Sequence, residues 1–163
     1  SLIYTVIQIL ILKIYCSNSK YILKKRKAYL EFYDVVAKKD ETYNKLLTAL
    51  TDAKNKYNHL EDIQASKAWY ADLLTVTTYK AGTPESDHDL KGLLIDSLDA
   101  YMSHAKQLPL LTEEEKAEKL NITVKYTDGL IEKGGISTDV FKKELGPEET
   151  KKFFDNIFFG TAK

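Results

Sequence analysis

The chain has 163 residues, which suits one domain that removes about 70% of its extended surface from water. Lys plus Arg and Asp plus Glu both number 24, so the net charge is zero; there is no general basic face, and nucleic acid is not an expected partner. The one cysteine, Cys16, excludes an internal disulfide framework and a multi-thiolate metal centre, while seven Gly and three Pro suit long helices with short joints rather than a many-turned β fold.

Leu2 to Leu12, LIYTVIQILIL, is the most apolar run, and Ile14 and Tyr15 extend it past Lys13. It is shorter than the roughly 20 residues that a bilayer core requires. Four readings stay open: a buried or partner-facing helix, the end of a membrane span that starts before this numbering, an interfacial helix, and a signal-peptide core. No Met or basic cluster precedes the run. Residues 1–18 are therefore expected as an apolar N-terminal helix and 19–163 as a helical domain. Leu2, Ile3, Ile7, Leu10, Ile11 and Ile14 are the candidate contacts with a partner or membrane.

KYILKKRK, Lys20 to Lys27, is the one dense basic cluster. Lys24, Lys25, Arg26 and Lys27 form either a solvated helix face or a contact for anionic lipid. If the apolar run enters a membrane, the cluster places the remainder on the cytoplasmic or matrix side.

Ile22, Tyr29, Phe32, Tyr33 and Val36 recur with helical spacing, predicting an amphipathic helix from Ser19 to about Lys38. Asp40 can cap the next, in which Tyr43, Leu46, Leu50, Ala53, Tyr57 and Leu60 alternate steps of three and four, the spacing of a packing seam. Ala65, Ala68, Trp69, Leu73 and Val76 resume a helical pattern to about Tyr79, with the β-branched run Thr75 to Thr78 weakening its end. Gly82, Thr83 and Pro84 form a joint, and Leu90, Leu94, Leu98, Tyr101, Ala105 and Leu108 a stripe that ends before Pro109. Thr112 with Glu115 is a capping box, opening a central helix that runs to Gly134 and is apolar on two sides. Thr138 or Asp139 caps a short helix that Gly146 ends. Pro147 begins the last, with Phe153, Phe154, Ile157, Phe158 and Phe159 on more than one face.

Catalytic constellations are scarce. Glu85-Ser-Asp-His88 is the one Glu-x-x-His pair, whereas a di-metal carboxylate site needs two, so no metal is expected. His59 sits with Glu61 and Asp62 in a polar joint; His104 beside Asp99 or Asp96 would be a proton site if buried. Cys16 adjoins the apolar run and reads as a small buried residue. G-x-S-x-G, the phosphate loop and G-x-G-x-x-G are all missing, so no nucleotide or other cofactor is expected. Asn121-Ile-Thr123 matches a glycosylation acceptor placed on a helix, where it is expected to be unused.

Glu132, Gly134, Asp139, Pro147, Glu148, Glu149 and Gly160 together resemble the last helices of the ligand-binding domain of TetR-type regulators, over about residues 112–160. The resemblance carries no DNA-reading helix-turn-helix. It implies a small-molecule pocket between helices, lined by Trp69, Tyr101, Tyr126 and Phe154, for a small apolar ligand.

These readings combine into an all-α single helical bundle of about six or seven helices. The expected function is a non-enzymatic interaction or scaffold subunit, attached to a membrane complex or partner protein through the apolar N-terminal helix and through Phe158 and Phe159 of the last one. The alternative is a TetR-like small-molecule-binding regulatory bundle, and a third is an enzyme using His104 or His88.

Overall fold

A computed structural model of the chain describes residues 10–16, 26–35, 39–64, 67–134 and 136–162. Their elements, in order, are β1 (Leu10–Cys16), β2 (Arg26–Tyr33), α1 (Glu41–Asn55), β3 (Glu61–Asp62), β4 (Leu74–Gly82), α2 (Asp87–Ala105), α3 (Glu113–Lys133), α4 (Ile136–Leu145) and α5 (Pro147–Phe153). The chain divides into two compact units: Ser1–Asp34 with Lys38–Leu111, and Val35–Ala37 with Thr112–Lys163.

The first unit overturns the all-α bundle. It holds an antiparallel sheet in the order β1-β2-β4-β3, in which β3 is only two residues long. Strand β2 is read with period two: Ala28, Leu30 and Phe32 are buried, and Lys27, Tyr29 and Glu31 alternate with them. That alternation is what a half-buried strand requires. The buried side receives both helices. Leu93 of α2 packs on Ala28 and Leu30 with Tyr57 and Leu90, and Leu46 and Leu50 of α1 pack on Phe32 with Val76, Tyr101 and Leu108.

Helix α1 forms as its spacing predicts. Asp40 accepts the Tyr43 amide at 2.9 Å, and Tyr43, Leu46, Leu50 and Ala53 are all buried. Pro84 opens a 3-10 turn, Pro84–Ser86, that leads into α2, which ends at Ala105, close to its expected limit. Gly82, however, closes a strand and not a helix.

The expected N-terminal helix of residues 1–18 is corrected in the same way. Leu10, Ile11 and Ile14 belong to β1, opposite Phe32, Glu31 and Ala28 of β2. The helix expected from Ser19 to Lys38 is, where described, β2, and the pattern from Ala65 to Tyr79 resolves into a 3-10 turn, Ala71–Leu73, and β4. Among the described residues no helix is long and apolar enough to cross a membrane.

The second unit is helical. Thr112 and Glu115 make the expected capping box, and Gly134 ends α3 with φ +75°. A Cβ at Gly134 would stand 2.7 Å from Asp139, so both the angle and the space favour glycine there. The buried hydroxyls of Thr123, Thr127 and Thr150 donate to carbonyls four residues back at 2.7 to 2.9 Å, which lets polar side chains sit between helices at no cost in unpaired groups. Lys142 Nζ reaches the Ile131 carbonyl (2.8 Å) at the end of α3. Lys151 Nζ bridges Asp128 of α3 (2.6 Å) and Asp155 (2.9 Å), tying the last segment to α3.

Candidate functional site

Five of the six phenylalanines stand in the second unit, and they form one cluster. Phe141 of α4 lies 5.4 Å from Phe153 and 5.7 Å from Phe154, ring centre to ring centre. Phe158 lies 5.2 Å from Phe153 and 5.5 Å from Phe154; Phe159 packs on Phe154 and on Tyr126, both at 5.9 Å. Most of these separations fall in the favourable range for edge-to-face rings.

The cluster is built on an irregular turn. After α5 the chain winds into a π-helix, Phe154–Phe158, closed by the Phe159 amide donating to the Phe154 carbonyl at 2.9 Å. One extra residue in the turn changes which side chains face inward, and such turns recur at functional sites. Here Phe154 is buried, whereas Ile157 is 68% and Phe158 58% exposed. The backbone is nonetheless pinned: the Thr161 amide and hydroxyl donate to the carbonyl (2.9 Å) and carboxylate (2.6 Å) of Asp155. Leu145, one helical turn after Phe141, and Val140 are also exposed. The outcome is a set of exposed apolar side chains on a fixed frame, while the preceding helix α5 carries charges of both signs in Glu148, Glu149, Lys151 and Lys152.

The polar candidates lie in the first unit. Arg26 donates to Asp87 at 2.9 and 3.4 Å, His59 Nε2 meets Asp89 at 3.0 Å, and His88 Nδ1 is 3.7 Å from Asp89. The hydrogen bond and charge of His59, with a smaller contribution from His88, hold the Asp89 carboxyl below the usual carboxylate range. Among the described residues no group of three or more His, Cys, Asp or Glu is placed to hold a metal ion. His88 is fully in solvent, and His104 Nδ1 lies 2.9 Å from the Ala100 carbonyl within its own helix.

On the sheet face turned from α1 and α2, Glu31 accepts from the Tyr33 hydroxyl (2.6 Å) and the Tyr79 hydroxyl (2.9 Å). Burial, and then the Glu31 carboxylate, push the Tyr79 phenol well up from its ordinary value. A groove of about 290 Å³ runs beside it, lined by Lys67, Ala68, Ala71, Leu74, Thr75, Thr77 and Tyr79.

The other expected site residues are scattered. Leu2, Ile3, Ile7, Lys24 and Lys25 lie outside the described residues. Arg26 and Lys27 open β2, so these two belong to a strand and not to a basic helix face. Trp69 packs edge-on against Tyr70 (5.1 Å) and Tyr101 against Phe32 (5.9 Å), on opposite faces of the sheet; Tyr126 and Phe154 belong to the second unit, where both touch Phe159. Of the two expected partner contacts on the last helix, Phe158 is exposed and Phe159 half-buried, their rings 6.2 Å apart. Leu145 and Val140 were legible as apolar positions of a short helix but not as exposed ones, and nothing in the local sequence pairs Glu31 with Tyr79. Comparison with protein-family models finds no match for this chain, and comparison with curated proteins finds none.

Proposed function

We propose that this chain is a non-enzymatic interaction subunit, and that a partner protein covers the apolar edge of the second unit at Ile157, Phe158 and Leu145. The carrying observation is that Ile157 and Phe158 are more than half exposed on a backbone held by its own hydrogen bonds. Exposed apolar side chains in one place mark interaction surfaces on soluble domains. Covering the two residues supplies about 1 to 3 kcal/mol of transfer free energy, a useful core for an interface but not a whole one.

The test is a photo-crosslinking residue placed at position 158 of the full chain, in the cells that make it, with position 148 as control. The reading predicts a discrete adduct with another protein from position 158 and none from 148. An adduct with a second copy of the chain identifies that copy as the partner. Equal, diffuse labelling from both positions overturns the reading.

A further inference from the structure

The face of the first unit's sheet that α1 and α2 leave open carries a carboxylate, Glu31, that forms no ion pair among the described residues. Glu31 lies half-buried in β2, and its hydrogen-bond partners among the described residues are the hydroxyls of Tyr33 and Tyr79, at 2.6 and 2.9 Å. Phenols orient a carboxylate without neutralising it. A carboxylate offers about four lone-pair directions, and these donors take two.

The Tyr79 ring lies immediately beside that carboxylate. It is half-buried and stands 5.6 Å from the Tyr29 ring. An aromatic face attracts a cation within about 6 Å of its centre, and methylated ammonium groups are the ligands best held that way. The groove of about 290 Å³ shares Tyr79 with this cluster, and its Ala68, Ala71 and Leu74 give it an apolar lining.

We propose that this face binds a small organic ammonium compound, its cationic head over the Tyr79 ring against the Glu31 carboxylate and its body in the groove. Lys67 at the groove discourages a second cationic end. The site lies in a different unit from the phenylalanine edge, so either reading can fail without the other.

The test titrates the full chain with tetramethylammonium chloride at constant ionic strength, following the tyrosine ring signals by NMR, with tert-butanol as an uncharged control of the same shape. Saturable shifts of the Tyr79 signals with the cation alone are expected. Glu31→Gln weakens them at least about tenfold, the scale of losing one close charge partner. Tyr79→Leu abolishes the binding, and Tyr79→Phe, which keeps the ring, retains most of it; urea unfolding verifies that each variant is folded. No saturable shift, an equal response to tert-butanol, or Glu31→Gln binding as well as the natural chain would overturn the proposal.

Discussion

Gly92 of α2 faces the Tyr57 side chain so closely that a Cβ at Gly92 would stand 2.4 Å from the Tyr57 hydroxyl and 3.2 Å from its ring. Tyr57 follows α1, is part of the core around Leu93, and its hydroxyl reaches Asp96 at 3.3 Å. The glycine is therefore what lets the end of one helix lie against the start of the next.

Gly92→Ala sets two effects against each other. Helix propensity favours alanine by about 1 kcal/mol, while forcing a methyl into filled space costs about 1 to 3 kcal/mol. With a rigid ring as the obstacle the cost wins, and the urea midpoint falls. In a Tyr57→Ala background the obstacle is gone and the same change becomes neutral or stabilising; a double-mutant cycle that shows no coupling would refute this.

Lys80 is completely buried on the helix-covered side of β4, where its Nζ donates to the Leu60 carbonyl (3.2 Å) and to Asp62 (2.8 Å). Lys80→Met fills the same space and leaves one carbonyl unpaired, a loss of about 1 to 3 kcal/mol. Asp62→Ala instead strands a buried ammonium, the more damaging kind of change. Asp62→Ala should therefore lower the urea midpoint more than Lys80→Met, and the reverse order would show that water replaces the carboxylate.

The pH dependence follows from named groups. The carboxyls of Asp62 and Asp89 are held below the usual range, chiefly by hydrogen bonds from Lys80 and His59. A lowered folded value adds stability that is present above the ordinary value of 3.8 and is lost as pH falls below it. Tyr43, Tyr57 and Tyr79 are shifted the other way, mainly by burial and then by Asp34, Asp96 and Glu31 respectively. Raised phenols add stability that is present below the ordinary 10.0 and lost above it. Absorbance at the tyrosinate band up to pH 10.0, with the fold intact, should accordingly be little changed by Tyr43→Phe, Tyr57→Phe or Tyr79→Phe, because these three phenols hold their protons there. A clear loss of tyrosinate absorbance at pH 10.0 on Tyr79→Phe, with the fold intact, would contradict it.

Phe154 and Phe158 are neighbours with different duties. Phe154 is buried among Phe141, Phe153, Phe158 and Phe159, and its truncation to alanine should cost about 3 to 5 kcal/mol. Phe158 is 58% exposed, so Phe158→Ala should cost only about 1 kcal/mol. Chemical denaturation of the two variants checks the ratio; equal losses would make Phe158 an ordinary core residue.

The helices were legible where one periodicity stood alone. Tyr43, Leu46, Leu50 and Ala53 fit only a helix, and the Thr112–Glu115 box and the Gly146–Pro147 joint marked real ends. Strand β2 satisfied two patterns at once: Tyr29, Phe32 and Tyr33 recur at helical steps, but Ala28, Leu30 and Phe32 alternate with Lys27 and Glu31, and pairing with β1 and β4 decided for the strand. Thr75 to Thr78 is β-branched because it is a strand, not because a helix frays there. Leu10–Cys16 is a short apolar run of the kind that fits either structure. The aromatic residues of the last helix predicted a segment wedged into the core or buried in a partner, and in the fold they divide: Phe154 is buried, whereas Phe158 is exposed. The Glu31–Tyr79 contact joins residues 48 positions apart and exists only through strand pairing.

The most direct test of the interaction reading is carbene footprinting of Ile157 and Phe158, performed on purified chain and on intact cells that make it. The account predicts strong labelling of both residues in the isolated chain, as their exposure requires, and severalfold protection in the cell with Glu148 labelled equally in both. Equal labelling of Ile157 and Phe158 in the two settings would mean that nothing covers the edge, and the proposed docking surface would be wrong.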